Sequence, residues 1–209
     1  MAAGAGRLIA FEGGEGSGKS TQAKALAETL GAELTREPGG TPLGERLRRL
    51  LLDEPSAIDP RAELMMMLAA RAQHLAEMIE PALAAGRHVV VDRFAGSTLA
   101  YQGYGRGLPL AEVKSACLLA SGGRQADLNV LLDLPVSAGS LRRGLKERDR
   151  IEAAGPEFHD RVRQGFLAEA EADPVHWCVL DGSLPADEVA AAVRRVVAAR
   201  LGLSLARGD

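Results

Sequence analysis

One eight-residue stretch constrains this chain more than any other feature: Gly13-Gly-Glu-Gly-Ser-Gly-Lys-Ser20. It matches the spacing G-x-x-x-x-G-K-[ST]. The apolar run RLIAFE precedes it and the helical pattern KSTQAKALAETL follows it. A strand that turns through glycines into a helix gathers backbone N–H groups around an anion. The following helix adds the positive end of its dipole. Gly13, Gly14, Glu15, Gly16, Ser17, Gly18, Lys19, Ser20 and Thr21 are therefore candidate binders of a nucleoside triphosphate. Lys19 can place a point charge on the outer phosphates, and the Ser20 hydroxyl is a candidate Mg²⁺ ligand. The motif does not say what the phosphate is used for.

The rest of the chain repeats the strand-to-helix alternation. Strands are predicted at Leu8–Phe11, Ala32–Thr35, His88–Val91, Leu128–Leu134 and Trp177–Leu180. Helices are predicted at Lys19–Leu30, Leu43–Leu52, Arg61–Ala85, Leu110–Ser121, Val136–Glu147, Glu157–Ala172 and Asp187–Leu201. Consecutive apolar residues in the strands suit burial on both faces. Alternation implies crossover connections, hence an α/β protein with a mostly parallel sheet. Ligands on such sheets bind at the carboxyl ends of the strands. A length of 209 residues fits one domain, 1–209.

Charge and cysteine usage narrow the class. The formal charge of −3 argues against nucleic acid as the main partner. Cys117 and Cys178 stand far apart with no Cys/His cluster, which suits buried thiols better than a disulfide framework or a zinc site. No apolar run approaches the roughly 20 residues of a membrane span, and the N-terminus lacks a signal-peptide pattern. A cytoplasmic protein without a membrane partner is expected. The four histidines are scattered, without ligand spacing.

Two further segments follow predicted strands. Thr35-Arg-Glu-Pro-Gly-Gly-Thr41 is a tight loop. Arg36 in it reads either as a bidentate phosphate ligand or as a solvated turn charge. Asp92-Arg93-Phe94 opens VVVDRFAGSTLAYQGYGRG. Asp92, at the end of a buried strand beside a phosphate loop, suits Mg²⁺, and Arg93 suits a bridge between donor and acceptor phosphates. The bland alternative is an Asp–Arg pair capping a helix. Arg142–Arg150, RRGLKERDR, concentrates five basic residues in nine.

Taken together, FEGGEGSGKST, TREPGGTPLGERLRRLLL, VVVDRFAGSTLAYQG, LKERDRIE and the F-x-x-R-V-R pattern at Phe158–Arg163 resemble the thymidylate kinase family in its bacterial form. The resemblance runs from about residue 7 to about residue 200. It implies a P-loop NTPase fold, a five-stranded parallel sheet flanked by helices, and a mobile lid at about 142–155. It implies phosphorylation of dTMP by ATP with Mg²⁺, and a homodimer. By the same resemblance, Glu15 lies near the sugar 3′-hydroxyl, and Arg36 and Arg93 lie near the dTMP phosphate. Asp92 is metal-associated. Pro38, Ser97, Thr98, Tyr101 and Gln102 line the nucleoside pocket, with Tyr101 against the deoxyribose. The phosphate loop carries no arginine, so the lid is expected to supply one, with Arg148 and Arg150 as candidates beside Lys19 and Arg93 for transfer. Positive charge on the moving phosphoryl group is what such chemistry needs.

One position departs from the family pattern. Met67 and Arg71 lie one turn apart on a predicted helix, and the family usually has phenylalanine at the Met67 position, stacked on thymine. Methionine can still pack against a ring, with less defined geometry. Met65 and Met66 are expected to fill core, and Arg71 to bond the base. Two other readings stand beside this one. A kinase for another small acceptor would keep the same loop. A nucleotide-gated switch would need no acceptor arginines.

Overall fold

A computed structural model describes residues 6–53, 57–144 and 149–204. Strand β1 (Leu8–Glu12) is buried at every position. It runs through the phosphate loop into α1 (Lys19–Leu30), which Gly31 closes in the left-handed conformation. Strand β2 (Glu33–Arg36), α2 (Pro42–Asp53) and α3 (Pro60–His74) follow. The Asp59 side chain caps α3 by accepting from the Arg61 amide at 2.9 Å, and Pro60 fits the first turn. Beyond His74 the helix passes through a π-turn, Leu75–Ile79, into α4 (Glu80–Ala84). The single helix expected over Arg61–Ala85 is thus one run with a local change of pitch.

Strand β3 (Val89–Asp92) leads into the short α5 (Ala95–Thr98) and a second π-turn, Leu99–Gly105. Neither was expected from sequence. Then come α6 (Leu110–Ser121), β4 (Leu128–Asp133), α7 (Val136–Arg143), α8 (Gly155–Ala172), β5 (Trp177–Asp181) and α9 (Ala186–Leu201). Helix α7 stops at Arg143 where a helix to Glu147 was expected; residues 145–148, including the candidate Arg148, lie outside the described residues.

The five strands pair in parallel in the order β2-β3-β1-β4-β5. Register sets Asp92 beside both Phe11 of β1 and Arg36 of β2. The carboxyl ends of three strands therefore meet where the phosphate loop begins. Ile9, Phe11, Val90, Val130 and Leu132 pack one sheet face against Ala23 and Leu26 of α1 and Val189, Val193 and Val197 of α9. On the other face, Leu8, Ala10, Val89 and Val91 meet Leu75, Ile79, Leu83 and Phe94. Each buried Val, Leu, Ile or Phe among them contributes about 1.5–3 kcal/mol against leaving it in water. Tyr101 sits between Phe158 and Phe166 of α8, edge to face, with both centroids at 6.1 Å. Rings are scarce here, and α8 spends two of them on the wall behind Tyr101.

Met65 corrects an expectation. It is 68% exposed, and Met66 is only half-buried. The inward stripe of α3 runs through Glu63, Leu64, Ala70, Arg71 and His74 instead, which leaves Met65 off the stripe. Both cysteines are free and buried, as expected.

Candidate active site

The phosphate loop holds its shape because Gly13, Gly16 and Gly18 occupy positive-φ conformations that other residues rarely adopt. Gly13 has φ 138°, and a Cβ there would stand 2.5 Å from the Leu132 carbonyl oxygen. Gly16 has φ 73°, and its Cβ would stand 2.4 Å from the Gly139 carbonyl oxygen on α7. Lys19 Nζ curls back over the loop to the Gly14 carbonyl at 2.7 Å. Burial, with Arg93 alongside, lowers its pKa to about 8, while Glu15 and Asp92 work in the opposite direction.

Asp92 and Ser20 adjoin this loop. The Ser20 hydroxyl donates to Asp92 Oδ2. Asp92 Oδ1 is buried without a hydrogen-bond partner. A buried carboxylate oxygen left unpaired is costly unless something binds it. Among the described residues no cluster of three His, Cys, Asp or Glu could cage a metal ion. One carboxylate beside one hydroxyl fits Mg²⁺, which takes few protein ligands and completes its shell with water and phosphate oxygens.

Arg93 stands between this corner and a neighbouring cleft. It has φ 72°, a left-handed conformation for a non-glycine residue. Its Nη1 donates to the Gly13 carbonyl at 3.0 Å and to Ser97 Oγ at 3.2 Å, and its Nη2 pairs with Glu15. Its guanidinium lies 5.0 Å over the Tyr101 ring, and the Tyr101 hydroxyl donates to Glu15 at 3.1 Å. Burial, with Glu15 beside it, raises the Tyr101 pKa, so the phenol stays protonated, although the Arg93 charge opposes this.

The cleft encloses a cavity of about 130 Å³ and opens to solvent. Glu15, Arg93, Ser97 and Tyr101 line it near the phosphate loop. Pro38, Met67, Arg71, Phe94, Thr98 and Gln102 line it further in. Of the residues expected at the acceptor site, only Arg36 lies elsewhere. It is exposed, bonded to Glu45 at 3.2 Å, and lines a shallower depression with Ser20 and Asp92. Arg48, which sequence reasoning passed over, lines the cleft and donates to the Pro38 carbonyl at 3.0 Å.

Three buried carboxylates shape the site, and none was singled out from sequence. Glu37 takes Arg71 Nε at 2.7 Å and faces His74 Nδ1 at 3.0 Å, while His74 Nε2 meets Thr35 Oγ1 at 2.7 Å. Arg71 Nη2 also donates to Thr98 Oγ1 at 2.9 Å. Burial works against the Arg71 charge, but Glu37 outweighs it and raises the Arg71 pKa. His74, one of the four histidines without ligand spacing, is fully buried in this network.

Glu63 collects Gln102, Arg106 and Arg150. Burial pushes its pKa up, but the hydrogen bonds from those three side chains more than reverse this and hold it ionised. The lid candidate Arg150 is thereby placed on Glu63 and, through Nε at 3.0 Å, on the Leu51 carbonyl. Asp149, Ile151 and Glu152, within the segment expected to form a lid, also line the cleft.

Glu12, at the end of β1, accepts the Phe94 and Ser97 amides at 3.0 and 3.1 Å and the Ser97 hydroxyl. It is fully buried, and burial pushes its pKa up to about 7 despite those bonds. An unfolded glutamate titrates near 4.5. Between the two values the folded state binds more protons, so Glu12 lowers stability as pH rises through that window. Glu12→Gln, which titrates in neither state, is expected to gain on the wild type from pH 4.5 to pH 7 by up to about 3 kcal/mol. Urea unfolding of both proteins at pH 5 and pH 8 checks this, and a pH-independent difference would contradict it.

The model of the family described as "Thymidylate kinase" matches residues 11–193. A thymidylate kinase of Thermosynechococcus vestitus is 47% identical, the match covering 94% of this chain and 89% of the relative. One of Desulfovibrio desulfuricans is 46% identical, over 93% and 96%. The crystal structure of thymidylate kinase from Ehrlichia chaffeensis superposes with a TM-score of 0.77 at 32% identity, over 92% of this chain and 99% of that one. Family match, close relatives and shared fold agree with the cleft beside the phosphate loop: this chain belongs to the thymidylate kinase family.

Proposed function

We infer that the protein is a kinase that transfers a phosphoryl group from ATP to dTMP, giving ADP and dTDP and so supplying dTTP for DNA synthesis. The observation that carries this reading is Arg93, which touches the phosphate loop at Gly13 and the lining of the acceptor cleft at Ser97 and Glu15. A residue so placed can meet both phosphates at once. No protein nucleophile is needed, because a dTMP phosphate oxygen attacks. Lys19 and Arg93 supply positive charge where negative charge moves, and a lid arginine, Arg148 or Arg150, adds to it on closing. Arg150 has to leave Glu63 to do so. Lid closure also excludes water, which limits ATP hydrolysis.

Arg71 and Met67 are assigned to the base, Tyr101 and Glu15 to the sugar, and Arg93 to the acceptor phosphate, which Arg36 would join only by leaving Glu45. Ser20 and Asp92 would hold Mg²⁺, which neutralises phosphate charge when bound. A cytoplasmic homodimer is proposed as well. It is supported by Leu119 of α6, 85% exposed, and Met65 of α3 on neighbouring helices, and sedimentation checks it. Among the described residues no helix is long and apolar enough to cross a membrane.

ADP release measured with dTMP, dUMP, dCMP, AMP and GMP as acceptors tests the assignment. Mg²⁺-dependent turnover that strongly favours dTMP is expected. Turnover only with another acceptor, or none with any, would contradict it. Met67→Phe is expected to tighten dTMP binding by about 0.5–1.5 kcal/mol through ring stacking. Unchanged or weaker binding by calorimetry would place Met67 away from the base.

A further inference from the structure

Glu63 has no surface exposure and lies one turn before Met67 and two before Arg71 on α3. Its Oε1 accepts Gln102 Nε2 at 2.8 Å and Arg106 Nε at 3.1 Å. Its Oε2 accepts Arg106 Nη2 at 3.1 Å and Arg150 Nη2. An ionised carboxylate only accepts hydrogen bonds, so it fixes which end of the Gln102 amide faces it. The N–H₂ end turns to Glu63, and the carbonyl oxygen takes the other end. Gln102 lines the cleft beside Met67 and Arg71.

We propose that Glu63 is a specificity-determining positioning residue: by holding the Gln102 amide it presents the Gln102 carbonyl oxygen to the base. This inference rests on the assignment of the cleft to dTMP. Arg71, a donor only, and the Gln102 oxygen, an acceptor only, then form a donor–acceptor pair at the base end. Thymine offers the complement, a carbonyl oxygen beside a ring N–H. Cytosine offers an amino group beside an unprotonated ring nitrogen and meets a like group at both positions. A buried mismatch of this kind leaves groups unpaired on both sides, which is how a polar site rejects a close analogue. Without the charge on Glu63 the Gln102 amide can turn over and offer its N–H₂ to the cytosine ring nitrogen, which removes one of the two mismatches and leaves the one at Arg71.

The test is kcat/KM for dTMP and dCMP in the wild type, Glu63→Gln, Gln102→Leu and the double variant. Glu63→Gln is expected to lower the dTMP-to-dCMP preference at least about tenfold, a change of about 1.4 kcal/mol. Gln102→Leu is expected to lower it similarly, and the double variant no further. A merely structural role would slow both acceptors alike and leave the ratio unmoved. A preference within about twofold of wild type in Glu63→Gln, or a further fall in the Gln102→Leu background, overturns the proposal. The wild type alone gives a second reading that needs no variant to fold. N3-methyl-dTMP, which lacks the ring N–H, should be at least about tenfold poorer than dTMP, and equal turnover overturns the proposal. If the wild type fails to use dTMP at all, the functional reading falls; if it uses dTMP with these ratios unmoved, only the role of Glu63 falls.

Discussion

Replacing Arg93 with alanine is expected to lower kcat for dTMP phosphorylation about 10³-fold. The guanidinium reaches from Gly13 and Glu15 of the phosphate loop to Ser97 at the cleft. Its backbone strain, of order 1–3 kcal/mol at a positive φ, is held by neighbours on every side. Glu12 pins the amides of Phe94 and Ser97 just beyond it, and the Phe11 carbonyl takes its own amide at 2.9 Å. Arg93→Lys keeps the charge but loses the fork, so an intermediate loss is expected. Steady-state kinetics with saturating ATP reads the effect. A variant with kcat within about threefold of wild type would mean that the acceptor phosphate is held by something else.

Glu37→Ala carries the largest expected cost in stability. It strips the Arg71 guanidinium of its 2.7 Å partner in a site where both side chains are almost wholly buried. Removing one member of a buried pair typically costs about 3–5 kcal/mol, because the remaining charge stays behind unpaired. For a chain of this size that is a fall in Tm of about 10 °C. His74 loses a partner in the same step. Glu37→Gln, which still accepts from Arg71, should lose less. Thermal unfolding of the three proteins orders them, and an unchanged Tm in Glu37→Ala would show that Arg71 finds another partner.

The frame of the molecule was legible in the sequence for a physical reason. Strands buried on both faces must be apolar at successive residues, so LIAFE, HVVV and LNVLLD announce themselves, and the glycines of the phosphate loop announce what lies between strand and helix. The α5 segment and its π-turn were not legible. Ala95–Gly105 carries three glycines and no polar face of helical period, and tertiary contacts hold it in shape. Gly96, for example, leaves room where a Cβ would stand 2.5 Å from the Trp177 ring and 2.8 Å from Glu12.

The buried carboxylates were missed because a charged residue ordinarily reads as surface. For Glu63 a signal was present. It falls on the same helical stripe as Met67 and Arg71, at spacings of four and eight. Glu12 likewise ends an uninterrupted buried strand. Met65 shows the same rule in reverse: an apolar residue off the stripe is left in solvent.

The most direct test is a crystal structure with dTMP, Mg²⁺ and a non-hydrolysable ATP analogue bound together. The dTMP phosphate should lie on Arg93, its base between Arg71 and Gln102, and its sugar beside Tyr101 and Glu15, with the metal on the Ser20–Asp92 side. A dTMP molecule bound with its base at the phosphate loop, or outside the cleft altogether, would contradict the account.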